Sequence, residues 1–520
     1  MNVSFARVSS IVAVIFGVTF AGQVTADTYT VNNTGDPEVG NPANCSAPAN
    51  LSLCTLRDAL AAADQAADPD TVEFKVKDTI FLNKSLTANH PVTINGNKKT
   101  VLRVNQGYIV KILPDRPVFG DTDLPVLQPN YFSVNGTSRA LLELHGDGST
   151  VMNMIFDGSI TPMLADIGVA RIDYESDDVT DFLLYTISDD DGQARWLIAG
   201  GIFVSFQGAL NPGTVDISDN ELRFMNTNAI TAEFFRSAVI NNNEISDGVA
   251  GQIAGAADGV SIFTGGNLSI SNNSIADFRT GIQIVFASGV NVLNNDIVGN
   301  DAGIFFFAAN ASIAPNVIAG NYVADNGNDK ANNDTGPGIT VVEVQEVAIT
   351  DNTVVSNGKY GIEVKTATQV SVVGNRVNEN GHDPDFEGGI RIAEGAGLNT
   401  IVNNNVDFNS GFGIVLDDAP ANFVQANSVR KNGGGGIILL NSFLNLSQGN
   451  TIESNISDKN SVGILSLSFS GVFPSGNFIR ENSMENNTEV DAADFDPACS
   501  NLWSVNKFKT AFSTSGSCVQ

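Results

Sequence analysis

From about residue 200 the chain repeats one phrase, an Asn placed two residues before an inward-type aliphatic side chain. It reads Asn220-Glu221-Leu222, Asn243-Glu244-Ile245, Asn273-Ser274-Ile275 and Asn295-Asp296-Ile297, and continues through Asn321, Asn352, Asn375, Asn404, Asn427, Asn450 and Asn482. The intervals are 23, 30, 22, 26, 31, 23, 29, 23, 23 and 32 residues, a base period of 22–23 with loops added in some repeats. Between these marks stands a second one, Gly followed by an aliphatic residue, as in Gly281-Ile282, Gly303-Ile304, Gly361-Ile362, Gly389-Ile390 and Gly413-Ile414. Each Gly mark opens a short alternating stretch such as Ile362-Glu363-Val364-Lys365, and a third such stretch precedes the Asn, as in Val370-Ser371-Val372. Alternation of period two means strand, and three short strands per 22–23 residues without helix-length patterns mean one coil of a β-helix. A leucine-rich repeat would need a Leu-x-x-Leu-x-Leu frame, and an antiparallel sandwich would not hold a fixed period.

The predicted fold is all-β: a single-stranded right-handed parallel β-helix of about a dozen coils, with an N-terminal helical cap and lateral insertions. The Asn is expected at a sharp turn, where a residue tolerant of the left-handed region can bond to neighbouring backbone. Stacked at about 4.8 Å, such residues can form a ladder. Leu53 to Ala63 reads as the one convincing helix of the mature chain and would cover an open strand edge. Two stretches, about 106–137 and 159–198, interrupt the early coils and suggest a small lateral subdomain or hairpins; 141–158 between them is coil-like. The expected organisation is 1–26 signal peptide, 27–105 cap and first coils, 106–198 early coils with insertions, 199–487 repeats and 488–520 C-terminal cap. The signal carries Arg7, the apolar run Ile11 to Phe20 and the small residues Val24-Thr25-Ala26.

Composition changes the picture in two ways. With 57 Asp and Glu against 27 Lys and Arg, a formal charge of −30, the chain opposes nucleic acid and anionic membranes. No later stretch approaches the ~20 apolar residues of a membrane span. The four cysteines fall in two close pairs, Cys45 with Cys54 and Cys499 with Cys518. Four cysteines allow three connectivities; local pairing at each end is expected in an exported chain.

Cys54-Thr55-Leu56-Arg57-Asp58-Ala59-Leu60, preceded by Tyr29-Thr30-Val31-Asn32 and Cys45, resembles the CSLREA domain, with Asp58 where Glu is usual. The coils resemble the pectate-lyase-like superfamily, and Asn501 to Asn506 with Cys518 resembles the closing segment of such proteins. The resemblance implies Sec-type export to the periplasm, cell surface or medium, and a right-handed parallel β-helix. It leaves activity open, because one fold carries many activities.

Alternation turns the first and third residues after each Gly-Ile mark outward. This places Glu363, Lys365, Arg391 and Asp417 together on one face, as candidate catalytic or sugar-binding groups. Ordinary cross-strand ion pairs on a solvated face are the competing account. Glu394, Asp418, His382, Asp383 and Asp385 are candidate binding residues beside it. Asp325, Asp329 and Asp334 have oxygen ligands at a calcium-like spacing, making calcium the candidate cofactor against a plain solvated turn. Flanking Phe305, Phe307, Ile438, Leu440 and Leu467 suggest that something covers the face. The expectation is a monomeric exported protein that binds an extracellular polysaccharide, with modification of it left open; an enzyme here would be a lyase, hydrolase or epimerase. The alternative is a non-enzymatic surface, adhesin or structural protein that contacts other proteins.

Overall fold

The computed structural model describes residues 26–45, 53–65, 69–82, 85–104, 110–111, 140–158, 169–170, 186–188, 194–196, 200–206, 212–225, 228–246, 258–307, 315–327, 336–381, 387–444, 446–516 and 518–519. The expected signal peptide, 1–26, lies outside them except for Ala26. Among the described residues no helix is long and apolar enough to cross a membrane.

One coil shows the plan. Ile362–Lys365, Ser371–Val373 and Arg376–Asn378 are its three strands, each paired in parallel with its counterpart in the coils before and after. We call the three stacks the Gly sheet, the middle sheet and the Asn sheet. The Asn sheet has 15 strands in strict chain order, somewhat more than the dozen expected. The other two stacks merge into one 29-stranded sheet, because the strands Asp258–Ser271 and Thr280–Leu293 run on around the corner between them. Inward residues stack in columns such as Ile282, Ile304, Ile339, Ile362, Ile390 and Ile414, all essentially inaccessible to water. Burying such side chains stabilises the coil by about 1.5–3 kcal/mol each. The Gly mark is steric: a Cβ on Gly361 would collide with Val377 Cγ1 of the Asn sheet.

The Asn ladder exists. Asn375 donates from Nδ2 to Ile349 O (2.8 Å) and to Asn404 Oδ1 (3.0 Å), and its backbone N–H donates to the same oxygen (2.9 Å). Asn404 repeats this with Val372 O and Asn427 Oδ1. Both amide hydrogens and both lone pairs are thereby used, which makes a buried Asn tolerable. Two details differ from expectation. The left-handed residue is the one before the Asn, such as Asp351 (φ 54), Asn403 (φ 57) or Ala426 (φ 55), and the Asn serves as the bonded partner. The column after Asn427 continues through Asn455 to Asn482; Asn450 belongs to a different corner, between Asn422 and Asn477. A further column, Asn357, Asn380, Asn409, Asn432 and Asn460, stands five residues after the first in each coil.

Both ends are closed by carboxylates and a disulfide. The cap helix α1 (Leu56–Ala63) has a capping box between Thr55 and Asp58, and Asp58 also accepts from Asn41 N (2.6 Å) and Asn44 Nδ2 (3.0 Å). At the other end Asp494 accepts from Trp503 Nε1 (2.8 Å), and Asp491 accepts from the backbone N–H groups of Lys509 and Thr510. The pairings Cys45–Cys54 and Cys499–Cys518 are as expected. The two insertions contribute to one small antiparallel sheet of Val110–Lys111, Ala194–Trp196, Thr186–Ser188 and Val169–Ala170.

Candidate functional site

The connections between strands locate the site. In thirteen successive coils, from Met152–Ile155 to Ser504–Lys507, the middle and Asn sheets are joined by only two residues. In these thirteen coils all longer connections fall at the two corners that flank the Gly sheet. On one side they are residues 247–257, 325–338 and 379–389; on the other, 206–213, 308–315, 442–450 and 469–477. The two early insertions also enter the Gly sheet at the first of these corners. The outward face of the Gly sheet is therefore the floor between two rows of loops, the usual place for function on a rigid scaffold.

Strand register lines up the floor in two rows. One runs Glu143, Phe203, Thr231, Ser261, Gln283, Phe305, Thr340, Glu363, Arg391, Val415, Ile438 and Leu465. The other includes Ser205, Glu233, Phe263, Val285, Phe307, Val342, Lys365, Ala393, Asp417, Leu440 and Leu467. The four candidates Glu363, Lys365, Arg391 and Asp417 come together as expected, within two coil spacings of about 4.8 Å each. Their face is not solvated, however: Glu363 and Asp417 are each only 7% exposed.

Arg391 is the hub. Its Nη1 donates to Glu363 Oε1 at 2.9 Å, its Nη2 donates to Asp417 Oδ2 at 2.7 Å, and its guanidinium lies 5.3 Å from the Tyr360 ring centroid. Burial opposes the guanidinium charge, but Tyr360, the Asp417 hydrogen bond and the two carboxylates outweigh it and hold its pKa above the ordinary arginine value. Burial is also the main reason the Tyr360 phenol is pushed up to about 12, with Arg391 pulling the other way and the nearby carboxylates adding to the rise. The phenol thus keeps its proton at neutral pH. Lys365 is engaged separately, with Nζ 2.8 Å from Glu394 Oε1. Asp417 Oδ1 and, one coil before Glu363, Thr340 Oγ1 are buried without a hydrogen-bond partner. Counting outward from the Gly mark missed Tyr360, because it precedes Gly361 at the corner.

On either side of this centre the floor changes character. Toward the N-terminus, Phe305 and Phe307 stack with centroids 6.4 Å apart and planes within 7°, and Phe286 meets Phe307 edge-on at 5.8 Å. Toward the C-terminus, Phe412, Val415, Ile438, Leu440, Leu465 and Ala493 form an apolar cluster outside the main core. At the head of the floor, His145 Nδ1 is 2.9 Å from Ser205 O, and its Nε2 is 3.8 Å from Glu143 Oε2. The facing Glu143 carboxylate is the main cause of a raised His145 pKa.

The remaining candidates divide. Asp418 accepts the backbone N–H groups of Phe443 (2.7 Å) and Leu444 (2.9 Å), so it shapes a flanking loop. His382, Asp383 and Asp385 lie outside the described residues, as do Asp329 and Asp334. Asp325 occupies the left-handed turn position (φ 54) before Asn326. Among the described residues no three His, Cys, Asp or Glu side chains converge as a metal site.

Fold and register together define a right-handed parallel β-helix protein with a loop-flanked floor on one sheet. A family model agrees on the fold. Residues 200–377 match the model of the right-handed beta helix region, and residues 384–516 match that of the periplasmic copper-binding protein NosD. The described residues do not fit a copper centre, since all four cysteines are in disulfides and no ligand trio converges. Among solved structures, the chain is similar to the A-module of the Azotobacter vinelandii mannuronan C-5 epimerase AlgE4, at 13% identity and a TM-score of 0.41 over 88% of this chain and 95% of that one. It is also similar to the periplasmic alginate epimerase AlgG (13%, TM-score 0.35, 86% of this chain and 77% of that one). A third is the Dettilon tailspike protein (12%, TM-score 0.38, 93% of this chain and 69% of that one). No curated protein sequence matches.

Proposed function

We propose that this is an exported CSLREA-type β-helix protein that binds an extracellular polysaccharide along the floor of the Gly sheet, using the aromatic shelf and the Arg391 centre. The observation that carries the reading is their alignment. Phe305, Thr340, Glu363 and Arg391 occupy successive coils, so an aromatic face is followed by three polar groups along one line parallel to the helix axis. A linear glycan offers the matching pattern, with apolar ring faces to stack and hydroxyls to bond. Apolar surface with a few placed polar groups is what small-molecule sites commonly present. Disulfides at both ends suit an oxidising compartment.

A second reading adds chemistry. Tyr360 retains its proton at neutral pH, and Asp417 has an oxygen without a partner, so the centre holds both a donor and an acceptor. Against turnover, both Arg391 Nη atoms are already bonded to carboxylates. Binding is therefore the primary claim. Affinity electrophoresis of the mature chain through gels with different polysaccharides tests it. Retardation by at least one polymer, lost in Phe305→Ala/Phe307→Ala, is the expected result. Free migration through every gel would discard the reading. Release of unsaturated products or new reducing ends, abolished by Tyr360→Phe, would establish the second.

A further inference from the structure

We infer that the polysaccharide this floor accepts carries no carboxylates: it is a donor-rich glycan, neutral or bearing free amino groups, and not a polyuronate. This rests on the reading of the floor as a glycan site and narrows it.

The argument is a charge and hydrogen-bond inventory of the two outward rows. They contain four acids, Glu143, Glu233, Glu363 and Asp417, and two fixed cations, Lys365 and Arg391. A polyuronate needs cations that can turn toward its carboxylates, and it pays a repulsion from every uncompensated acid. Neither cation carries uncompensated charge. Arg391 is bonded to two carboxylates, Glu363 and Asp417, which leaves the centre net negative although three of its five N–H donors remain, and Lys365 is paired with Glu394. Breaking the Arg391 bonds to admit an anion would leave two buried carboxylates without compensation, which costs several kcal/mol.

The unmet demand on this floor runs the other way. Glu143 Oε1, Thr340 Oγ1 and Asp417 Oδ1 are buried side-chain oxygens without a hydrogen-bond partner. All three belong to outward positions of the Gly sheet, on residues at most 7% exposed. Buried polar atoms in folded proteins are nearly always satisfied, so three exceptions on one face point to partners that arrive from outside. Two of the three are carboxylate oxygens, which only accept. Hydroxyls or ammonium groups supply what they lack; carboxylates do not. The formal charge of −30 extends the same bias to the whole molecule.

The test is competitive binding of the mature protein to four polymers: a neutral β-glucan, chitosan oligosaccharides at pH about 6, polygalacturonate and alginate. Each is measured at low salt and at about 0.5 M NaCl, where exposed charges are screened within a few Å. The expected result is binding to the glucan or to chitosan, at least about tenfold tighter than to either uronate. It should persist in high salt and be lost in Phe305→Ala/Phe307→Ala. The two favoured arms separate the hydroxyl and ammonium sources of donors. Uronate binding equal to or tighter than the others, and weakened by Lys365→Ala, would overturn the inference while leaving the glycan site standing. Chitosan binding that vanishes in salt or survives the double Phe substitution would be general attraction to an acidic protein and would equally overturn it. Failure of all four polymers would remove the glycan reading itself.

Discussion

The Gly sheet and the Asn sheet share one backbone, one period and one inner lining, yet their outer faces have opposite fates. Outward residues of the Asn sheet stand in water: Glu244, Ser274, Asp296, Arg376 and Asn405 are exposed, and Tyr322 is 45% exposed. Outward residues of the Gly sheet are sequestered: Ser261, Val285, Thr340, Val415 and Ile438 are 4% exposed or less. Strand alternation makes the two faces equivalent, so the difference arises at the corners. From Met152 onward the turn beside the Asn sheet is two residues in thirteen successive coils and projects nothing, whereas every long connection in those coils leaves a corner of the Gly sheet. On the Gly sheet outward side chains pack on one another, as Phe412, Val415, Ile438, Leu440 and Leu465 do, and the charges beside them are paired through Arg391.

Arginine substitutions probe that contrast most strongly. Arg391→Ala strands Glu363 and Asp417 on the sequestered face and is expected to destabilise by about 3–5 kcal/mol. Arg376→Ala on the Asn sheet face should stay within about 0.5 kcal/mol. Urea midpoints of the two variants compare them directly. Equal and small shifts would mean that the Arg391 centre is solvated after all.

Two isoleucines repeat the comparison without charge. Ile438 is fully buried on the outer face of the Gly sheet, while Ile456 is 38% exposed on that of the Asn sheet. Ile438→Ala should cost about 2–4 kcal/mol and Ile456→Ala well under about 1 kcal/mol. Thermal midpoints that fall by the same amount in both would show that the Gly sheet face has no cover of its own.

Titration separates the floor from the two ends. Burial raises the Asp58, Asp491 and Asp496 pKa values, but hydrogen bonds from backbone and side-chain groups outweigh it, so all three are lowered. Their contribution is present above the ordinary carboxylate pKa of about 3.9 and is lost as pH falls through the lower folded values. The floor titrates with the opposite sign. Glu233 is raised by burial, and His145 is raised chiefly by Glu143. The His145 contribution is complete below about 6.5 and disappears as pH rises through its folded pKa. Melting temperature should therefore rise modestly from pH about 8 to 5, then drop below about 4 as the ends fail. A melting temperature that falls steadily from neutrality would break this assignment.

How much of this could be read from the residues depends on which interaction repeats. The coil and its three strands were legible because inward Ile and Val recur at a fixed period, and the disulfides because the four cysteines fall in two close pairs at opposite ends of the chain. The Asn register slipped at one coil for a physical reason. Asn450-Thr451-Ile452 has the expected polarity, whereas the true partner in Asn455-Ile456-Ser457 is inverted. There Ile456 faces out, and buried Ser457 is satisfied by donating Oγ to Gly463 O at 2.7 Å. The grouping of Glu363, Lys365, Arg391 and Asp417 followed from alternation alone. Their burial did not, because it depends on packing between neighbouring outward side chains and on Tyr360 at a corner, and neither follows the repeat. The second Asn column was present all along as an Asn five residues after each first Asn, as in Asn375 with Asn380 and Asn404 with Asn409.

The smallest effect makes the sharpest distinction between the faces. Thr340 and Thr353 both point outward, the first on the Gly sheet with a buried hydroxyl lacking a partner, the second on the Asn sheet with partial exposure. Valine preserves the shape of threonine and removes only the hydroxyl. At Thr353 the change should be neutral within about 0.5 kcal/mol. At Thr340 it removes a desolvated oxygen that gains nothing in the free protein, so stability should rise by about 1 kcal/mol. If the hydroxyl is kept for a ligand, the same substitution should weaken glycan binding several-fold while it raises the urea midpoint. A stabilised variant with unchanged binding would make Thr340 a plain defect of packing. A destabilised one would mean that its hydroxyl is already satisfied by water, and that this part of the floor is wet.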